Sequence, residues 1–456
     1  MKRLLLLASV LLAYLSSLGS PFQFDDRGAI LRELSLHSFG TALGSLHGLR
    51  PLLKLSYAVC WSLGGGSPLP FHLFNLAVHL VNVELVLRLY RAATEPGARF
   101  PFVDGAPSGG ALLAALLFGL HPLQTEAVTY ITGRSASLST LFLLLALLLY
   151  AEGARSGRAR YWLGFTGLAF LAALATKETS ATLPFGLWLW DRTIERSTAR
   201  TALQRLLPWL GVFASTLLAL VLHPRYFTLL YNVLGQRSFV DSIRYQLLGV
   251  EYLGERLLLV APLCIDPGLW LARPSWLLAS ATFAVLAALV AAGALRRSRV
   301  ALFGLGWCLL QVLVPFLLLP RLEVINERHF YIASPGLFLA VGAAWASLSQ
   351  RSGGAVRIGI PAALGLLLGA LTLRRNADYQ SELSLWQSTV KAAPQNPRAQ
   401  NNLGVAYELS GRIAEARNAY AQALVLSPRY QAARANLTRT TSLIRRRRVP
   451  SEAAAD

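Results

Sequence analysis

The sequence has little charge. Only 14% of its 456 residues are charged, whereas 54% are hydrophobic, and the mean hydropathy is +0.47. Typical soluble domains carry charge on about a quarter of their residues, so this composition excludes an ordinary water-soluble protein. The chain falls in the membrane class, and we expect an all-α, polytopic bundle of hydrophobic helices.

Cysteine is scarce as well. The chain has three cysteines, Cys60, Cys264 and Cys308, each in apolar surroundings. Their spacing matches neither a metal-binding motif nor a disulfide framework. This excludes a disulfide scaffold and a zinc module, and we interpret the three thiols as core residues.

Acidic residues are outnumbered. The chain has 23 Asp and Glu residues against 43 Lys and Arg, a net charge of +20 that would suggest nucleic-acid binding in a soluble protein. Most arginines, however, lie in short loops between apolar segments, where the positive-inside tendency of membrane proteins accounts for them. Nucleic-acid binding is therefore not predicted. The preference for arginine over lysine is typical of a GC-rich bacterial genome.

The basic residues also predict the topology. Lys2 and Arg3 precede an apolar segment that reaches about Leu18 without a convincing cleavage site, so we expect an uncleaved first helix with its N-terminus inside. Apolar segments then alternate with arginine-rich loops, which predicts about eleven spans. The apolar segment from Thr179 to Trp190 is short for a crossing, but the basic loop after it favours one.

Two adjacent carboxylates, Asp25 and Asp26, follow the first span within the acid loop, residues 22–27 (Phe22-Gln23-Phe24-Asp25-Asp26-Arg27). Acids beside a span are costly unless they contact water, a cation or a substrate. An ordinary solvated loop would also explain them. Other charged residues, however, fall on the same side by topology: His121, Glu126, Arg134, Lys177, Glu178, Glu327 and Arg328. We therefore interpret the acid loop as the centre of an active site at the outer membrane surface.

Three polar residues, His72, Asn75 and His79, share one face of the span predicted at about residues 69–90. They could bind a ligand, but polar side chains inside a helix bundle more often hold helices together. We predict the packing role.

The composition changes at about Arg374, where a soluble helical region begins. Its pattern matches one tetratricopeptide repeat of about 34 residues: Leu403-Gly404, Tyr407, Gly411, Ala416, Tyr420, Ala423 and Pro428. Because a single repeat cannot bury its faces alone, we expect it to lean on the membrane domain or a partner. The predicted domains are residues 1–373, 374–444 and a basic, disordered tail, 445–456, whose Arg445–Arg448 run is solvated or binds lipid headgroups.

The order of these motifs resembles the transmembrane and tetratricopeptide-repeat-containing O-mannosyltransferases, which are GT-C glycosyltransferases. The matching stretches are the acid pair, Arg50-Pro51-Leu52, His72-Leu73-Phe74-Asn75 with His79, His121 to Val128 with Gly133-Arg134, Lys177-Glu178, Glu327-Arg328 with Tyr331, and the repeat. The resemblance covers nearly the whole chain. It implies a GT-C-like fold, a polyprenyl phosphate mannose donor and transfer to protein Ser/Thr hydroxyls outside the cytoplasm. The family has many repeats, whereas this chain has about one, so the acceptor stays open.

Such a transfer needs a base for the hydroxyl proton. Asp25 or Asp26 would serve, and Arg27 could keep the pair ionised. Glu126 is a third candidate for the site, although it could simply pair with a neighbouring cation. These three carboxylates also offer hard oxygen ligands for a divalent cation, although no spacing requires one and no cofactor is firmly implied.

The leaving phosphate needs cations that stabilise its growing charge. The candidates are Arg328, Lys177 and Arg134. His121 could hydrogen-bond the phosphate, or it could merely end a helix before Pro122. The long outer segment, residues 223–275, is expected to form a wall of the groove that holds the lipid tail.

Two other functions stay open. One is a GT-C transferase that acts on a lipid-linked glycan or a cell-envelope polymer. The other is a non-enzymatic membrane scaffold, or a transporter, that docks a partner through the repeat. A transporter would have mid-span ionisable groups in two matching halves, and the sequence shows no such symmetry. In a bacterium, the active site and the repeat domain would lie on the periplasmic side of the inner membrane.

Overall fold

The computed structural model describes residues 1–45, 49–95, 107–224, 227–228, 239–259, 261–268, 298–318 and 325–448. Within these ranges the regular structure is entirely helical, as predicted. The first fourteen α-helices are α1 (Lys2–Tyr14), α2 (Phe39–Gly44), α3 (Pro51–Gly64), α4 (Leu69–Thr94), α5 (Gly109–Leu120), α6 (Thr125–Val128), α7 (Arg134–Ser156), α8 (Ala159–Thr176), α9 (Leu183–Thr193), α10 (Ala199–Leu222), α11 (Phe239–Leu257), α12 (Arg299–Leu318), α13 (Ser334–Ser349) and α14 (Gly354–Asp378). Short 3-10 or π segments connect them at Leu15–Gly19, Arg27–Leu31, Leu34–Leu36, Pro122–Gln124, Ile131–Gly133, Glu178–Thr182 and Glu327–His329.

Five helices of the described residues are long and apolar enough to cross a membrane: Lys2–Gly19, Leu69–Thr94, Ile131–Ser156, Ala199–Ala219 and Gly354–Asp378. The bent pair Gly109–Leu120 and Pro122–Val128, with an angle of 52°, would make a sixth. Shorter apolar helices lie at Leu163–Thr176, Arg299–Leu313 and Ser334–Ser349. Residues 269–297 lie outside the described residues, so the count of eleven stays a prediction.

Helix ends follow local sequence signals. The Ser108 hydroxyl accepts a hydrogen bond from the backbone N–H of Ala111 at the start of α5, 3.3 Å away. Pro51 occupies the first turn of α3, where its missing N–H costs nothing. The same helix ends at Gly65, whose φ of 55° lies in the left-handed region that glycine adopts without strain.

The arginine-rich ends of several helices meet at one end of the bundle. Arg3, at the start of α1, pairs with Glu84 in the C-terminal half of α4, at 2.7 Å. Arg155, near the end of α7, donates to the carbonyl of Ala92 at 3.0 Å and pairs with Glu195 at 2.6 Å. This gathering agrees with the alternation of basic loops read from the sequence, and it leaves the acid loop at the opposite end.

Glycine allows two helices of the bundle to touch. A Cβ at Gly304 of α12 would lie 2.2 Å from the carbonyl oxygen of Gly336 in α13, closer than real atoms approach. The Trp307 ring is buried beside this contact and donates its Nε1–H to the carbonyl of Ile332 at 2.9 Å. Small residues at helix interfaces are the usual way in which membrane helices pack closely.

The polar face of α4 holds helices together, as predicted. His79 is within 2.7 Å of the Tyr331 hydroxyl through Nδ1 and within 3.1 Å of the Gly119 carbonyl through Nε2. The His72 ring contacts the carbonyl of Ser20 at 2.9 Å. Both histidines are almost fully buried, and each links α4 to another segment of the chain.

The repeat region contains four helices, α15 (Glu382–Ala392), α16 (Pro397–Leu409), α17 (Ile413–Leu426) and α18 (Gln431–Arg448). A Cβ at Gly404 would lie 2.4 Å from the Tyr420 ring, which shows how a small residue and a large one let α16 and α17 approach. Helix α18 reaches Arg448, so the start of the predicted disordered tail is helical. Residues 449–456 lie outside the described ranges.

The repeat region packs against the membrane domain, which the shortage of repeats had suggested. One apolar cluster joins the two: Tyr130, Ile265, Tyr379, Leu385, Trp386, Ala399, Leu403, Ala406 and Ala419. A second link is polar. Arg398 of α16 pairs with the buried Asp266 at 2.6 Å, and Asn396 donates to the Asp266 carbonyl at 3.1 Å.

Candidate functional site

Asp26 is the buried member of the acid pair. Its side chain is 1% exposed, and both of its oxygens accept backbone hydrogen bonds. Oδ2 accepts from the N–H of Gln23 at 3.0 Å, and Oδ1 accepts from the N–H of Thr132 at 2.9 Å. The carboxylate therefore closes the acid loop and ties it to the start of α7.

Burial raises the pKa of Asp26 to about 7, because the charged form loses water. The two backbone hydrogen bonds act in the opposite direction, and the neighbouring charge of Asp25 raises the pKa further. Arg27, which the sequence suggested as the group that keeps the pair ionised, forms an ion pair with Glu382 at 3.2 Å.

Asp25 is the exposed member of the pair. Its backbone N–H donates to the Tyr130 hydroxyl at 2.9 Å. Phe24, directly before it, has a φ of 45°, a left-handed conformation that is strained for a residue with a side chain. The turn therefore presents Asp25 outward and Asp26 inward, so the two acids have different environments.

Glu126 and Arg328 form an ion pair beside this loop. Glu126 is fully buried, and its two oxygens accept from the backbone N–H and from the Nη1–H of Arg328, each at 2.9 Å. The Arg328 side chain keeps 17% exposure. Its Cζ lies 5.8 Å from the centre of the Tyr130 ring, so Arg328 and Asp25 contact the same tyrosine.

Gly133 allows the segment from His121 to Arg134 to fold back on itself. A Cβ at this position would lie 1.9 Å from the carbonyl oxygen of Glu126, so another residue here would displace the backbone. Asn75 completes the turn, because its side-chain amide donates to the carbonyl of Val128 at 3.1 Å. The stretch from His121 to Arg134 thus forms one compact turn that carries Glu126 and Tyr130.

Arg134, a predicted phosphate ligand, faces the protein interior. The guanidinium is fully buried, and its Nε–H donates to Asn75 Oδ1 at 2.6 Å. Nη1 donates to the Ser56 carbonyl and Nη2 to the Phe71 carbonyl, each at 3.0 Å. The rings of Tyr57, Phe71 and Phe74 surround Cζ at 4.4–5.5 Å. These contacts favour a structural role, because the guanidinium joins α7 to both α3 and α4.

His121, a second predicted phosphate ligand, also has interior partners. Its Nδ1 accepts from the N–H of Leu123 at 3.2 Å, so Nε2 carries the proton and donates to the Leu257 carbonyl at 3.0 Å. Since both ring nitrogens are engaged, the alternative reading of His121 as a helix stop fits the structure better.

Lys177 is 6% exposed at the end of α8. The next residue, Glu178, accepts two hydrogen bonds from Arg50, from Nε at 2.9 Å and from Nη2 at 2.6 Å. This fork joins the sequence motifs around Arg50 and Lys177, although they are far apart in the chain.

Glu327 has no exposed surface. Its Oε1 accepts from the Tyr252 hydroxyl at 3.0 Å and from the Cys264 N–H at 2.7 Å, and Arg375 Nη2 lies 3.7 Å from Oε2. Burial raises the pKa of Glu327 to about 7, Arg375 lowers it and Glu126 raises it. Glu327 thus holds Tyr252 and Cys264 beside Arg328.

Comparison with known proteins shows which family the chain is similar to. Protein O-mannosyl-transferase TMTC3 of Mus musculus is 28% identical over 98% of this chain and 53% of its own length. The F38B6.6 O-mannosyl-transferase of Caenorhabditis elegans is 27% identical over 94% of this chain and 63% of its length. Over a shorter region, 39% of this chain, Tmtc2 of Drosophila melanogaster is 35% identical. The chain is a relative of the transmembrane and tetratricopeptide-repeat-containing O-mannosyltransferases.

A family model for the tetratricopeptide repeat matches residues 397–430, which confirms the predicted repeat in α16 and α17. The chain spans about half to two thirds of the length of the O-mannosyl-transferases named above that match nearly all of it. No solved structure matches it.

Three residues that the structure places around the acid loop were not predicted from the sequence: Tyr57, Tyr130 and Glu382. Tyr130 lies inside the stretch His121–Arg134, which was the available signal. Burial raises the pKa of the Tyr57 hydroxyl. The charge of Asp26 raises this pKa further, and the charges of Arg50 and Arg328 lower it. Glu382 carries no local signal, because its partners in the acid loop, Phe24 and Arg27, are distant in the sequence.

Among the described residues, no group of three or more His, Cys, Asp or Glu side chains is arranged to hold a metal ion. The three carboxylates considered as cation ligands have different environments. Asp26 binds backbone N–H groups, Glu126 binds Arg328, and Asp25 is exposed.

Proposed function

We propose that the chain is a membrane O-mannosyltransferase that moves mannose from a polyprenyl phosphate to a protein Ser/Thr hydroxyl. The names of its relatives support the mannosyl transfer. The observation that carries the proposal is that the exposed acid Asp25, through its backbone N–H, and the partly exposed guanidinium of Arg328 both contact Tyr130. A base and a cation held this way match the two demands of the reaction.

Asp25 serves as the base in this proposal. The acceptor hydroxyl oxygen attacks the anomeric carbon of mannose, the bond from that carbon to the phosphate oxygen breaks, and its electron pair stays on the phosphate. The hydroxyl proton passes to the Asp25 carboxylate. Asp26 supports this step indirectly, because it fixes the acid loop through two backbone hydrogen bonds.

Arg328 stabilises the leaving phosphate. Glu126 holds the guanidinium through Nη1, and this preorientation favours the transition state, in which the phosphate charge grows. Lys177 is a second candidate cation. Arg134 is not part of the proposed phosphate site, because its hydrogen bonds go to Asn75, Ser56 and Phe71.

The lipid tail of the donor lies in a groove of the helix bundle, and α11 forms part of its wall. Helix α11 belongs to the long segment at 223–275, and its described residues Tyr252 and Leu253 are buried. The Tyr252 hydroxyl donates to Glu327, directly beside Arg328. This contact supports a wall close to the phosphate site.

The site and the repeat region share one end of the bundle, opposite the arginine-rich ends of α4 and α7. By the positive-inside tendency, we place this end outside the cytoplasm, on the periplasmic side of a bacterial inner membrane. Accessibility of a cysteine introduced at Glu33 to an impermeant reagent, in intact cells, tests the orientation.

The test of the function is transfer of radiolabelled mannose from polyprenyl phosphate mannose in membranes that carry the wild-type chain. We expect label on protein, and a loss of at least about a hundredfold for Arg328→Ala, because a fixed phosphate partner is typically that important. Label on lipid or on a glycan instead would support transfer to an envelope glycan. Absence of transfer from this donor would contradict the proposal.

A further inference from the structure

The repeat region contacts the acid loop through one carboxylate, Glu382, the first residue of α15. The backbone N–H of Phe24 donates to Oε2 at 3.2 Å and to Oε1 at 3.4 Å. Arg27 donates its Nη2–H to Oε2 at 3.2 Å, and Trp386 donates its Nε1–H to Oε1 at 2.9 Å. The Glu382 side chain is 14% exposed, so these contacts form in a largely dry interface.

Two further contacts hold the same turn. The Phe24 ring meets the Trp386 ring edge-on at 5.0 Å, and Gln23 donates its side-chain N–H to the Tyr379 carbonyl at 2.6 Å. Phe24 is the residue with the strained φ of 45°. A strained turn persists only where surrounding contacts over-determine it, and here those contacts come from residues 379–386.

We infer that Glu382 is a positioning residue for Asp25, so the repeat region completes the active site in addition to any role in binding the acceptor. This inference rests on the proposed function. Glu382 binds the N–H of the residue directly before Asp25, and Tyr130 binds the N–H of Asp25 itself. The backbone that carries the exposed carboxylate is therefore held both by the membrane domain and by the repeat region.

A repeat that only recruits the acceptor makes a different prediction. In that case, a change at Glu382 would raise KM for a protein acceptor and would leave kcat unchanged. A positioning role lowers kcat for a short Ser/Thr peptide as well as for a protein, and leaves KM for the donor unchanged.

The experiment compares Glu382→Ala, Glu382→Gln and the control Glu408→Gln in the full-length chain. Glu408 has a similar exposure of 12% and accepts hydrogen bonds from Arg439 and Tyr420 inside the repeat region. Glu382→Gln keeps the side-chain length and one acceptor oxygen, so it tests the charge even if Glu382→Ala fails to fold.

Two measurements are made on each variant: amide hydrogen exchange of residues 22–27, and kcat and KM for mannose transfer to a short peptide. For Glu382→Ala we expect exchange about tenfold faster or more, and kcat about tenfold lower with KM within about twofold. Glu382→Gln should fall between this variant and the wild type, and Glu408→Gln should match the wild type.

Unchanged exchange in Glu382→Ala, or an unchanged kcat with a raised KM, would overturn the inference. The exchange measurement needs no turnover, so it separates this inference from the proposed function. If the wild type transfers no mannose while Glu382→Ala still accelerates exchange in the loop, the proposed function fails and the contact of Glu382 with the loop is upheld.

Discussion

The hydroxyl of Tyr130 accepts a hydrogen bond from the backbone N–H of Asp25, 2.9 Å away. The same ring lies 5.8 Å from the guanidinium carbon of Arg328, which the fully buried Glu126 holds in place. One tyrosine therefore links the exposed acid to the candidate phosphate ligand. Because the contact is made by a side chain onto a backbone group, it can be removed without altering either charged residue.

Replacing Tyr130 with phenylalanine removes the acceptor for the Asp25 N–H but keeps the ring. A hydrogen bond of this kind contributes about 1 kcal/mol, so we expect kcat about fivefold to tenfold lower with little change in thermal stability. The measurement is mannose transfer together with a melting curve in detergent. Wild-type kcat in this variant would contradict the assigned link.

Arg134 and Arg328 should respond differently to substitution. Loss of the Arg134 guanidinium leaves the buried acceptors of Asn75, Ser56 and Phe71 unpaired, so Arg134→Ala should destabilise the fold by about 3–5 kcal/mol. Arg328→Lys should leave the melting temperature close to that of the wild type and lower transfer.

Thermal unfolding and transfer, measured on both arginine variants, separate the two roles. An Arg134→Ala variant that melts like the wild type but no longer transfers mannose would restore the phosphate-binding prediction for Arg134.

Asp26 gives a pH dependence of stability with a defined sign. Its folded-state pKa, about 7, lies above the ordinary value of 3.8, so the folded chain holds the proton more tightly than the unfolded chain. The contribution of Asp26 to stability is therefore fully present below about pH 4, declines as the pH rises and is lost above about pH 7.

Asp26→Asn removes this titration. As the pH rises from 4 to 8, the melting temperature of the variant should rise relative to that of the wild type. The corresponding change in the free energy of unfolding is a few kcal/mol at most. A difference that is constant across this range would show that Asp26 keeps an ordinary pKa.

Gly133→Ala should damage the site through the backbone. The added Cβ would lie 1.9 Å from the Glu126 carbonyl oxygen, so the turn must shift and the ion pair of Glu126 with Arg328 must move with it. We expect a destabilisation of about 1–3 kcal/mol and a severe loss of transfer.

The matched control for this change is Gly164→Ala in α8, because a Cβ at Gly164 has no neighbour within 4 Å. Equal transfer by the two alanine variants would argue against the role of the turn.

The residues of the candidate site could be proposed from the sequence, but the partners that decide their roles could not. The acid loop and the stretch from His121 to Arg134 could be found because adjacent acids and a dense local motif stand out near span ends. Whether Arg134 points inward depends on partners contributed by α3 and α4, and no local pattern carries that information. The split of Asp25 from Asp26 likewise depends on Thr132, which is 106 residues away.

Glu382 shows the same limit more strongly, because it lies 358 residues from Phe24 in the chain. The packing of the repeat region on the membrane domain could be predicted, since one repeat has too little core of its own. The individual carboxylate at that contact could not, because an acid at the start of a helix is common in any soluble helical region.

The most direct test of the account is mannose transfer by Asp25→Asn beside Asp26→Asn and the control Glu33→Gln, another exposed acid close to the loop. We predict that Asp25→Asn inserts and folds like the wild type but lowers kcat by about a hundredfold or more, since it lacks the base. Asp26→Asn should lose less, and Glu33→Gln should be unaffected. Wild-type kcat in Asp25→Asn, with the chain well inserted, would contradict the central assignment of Asp25 as the base.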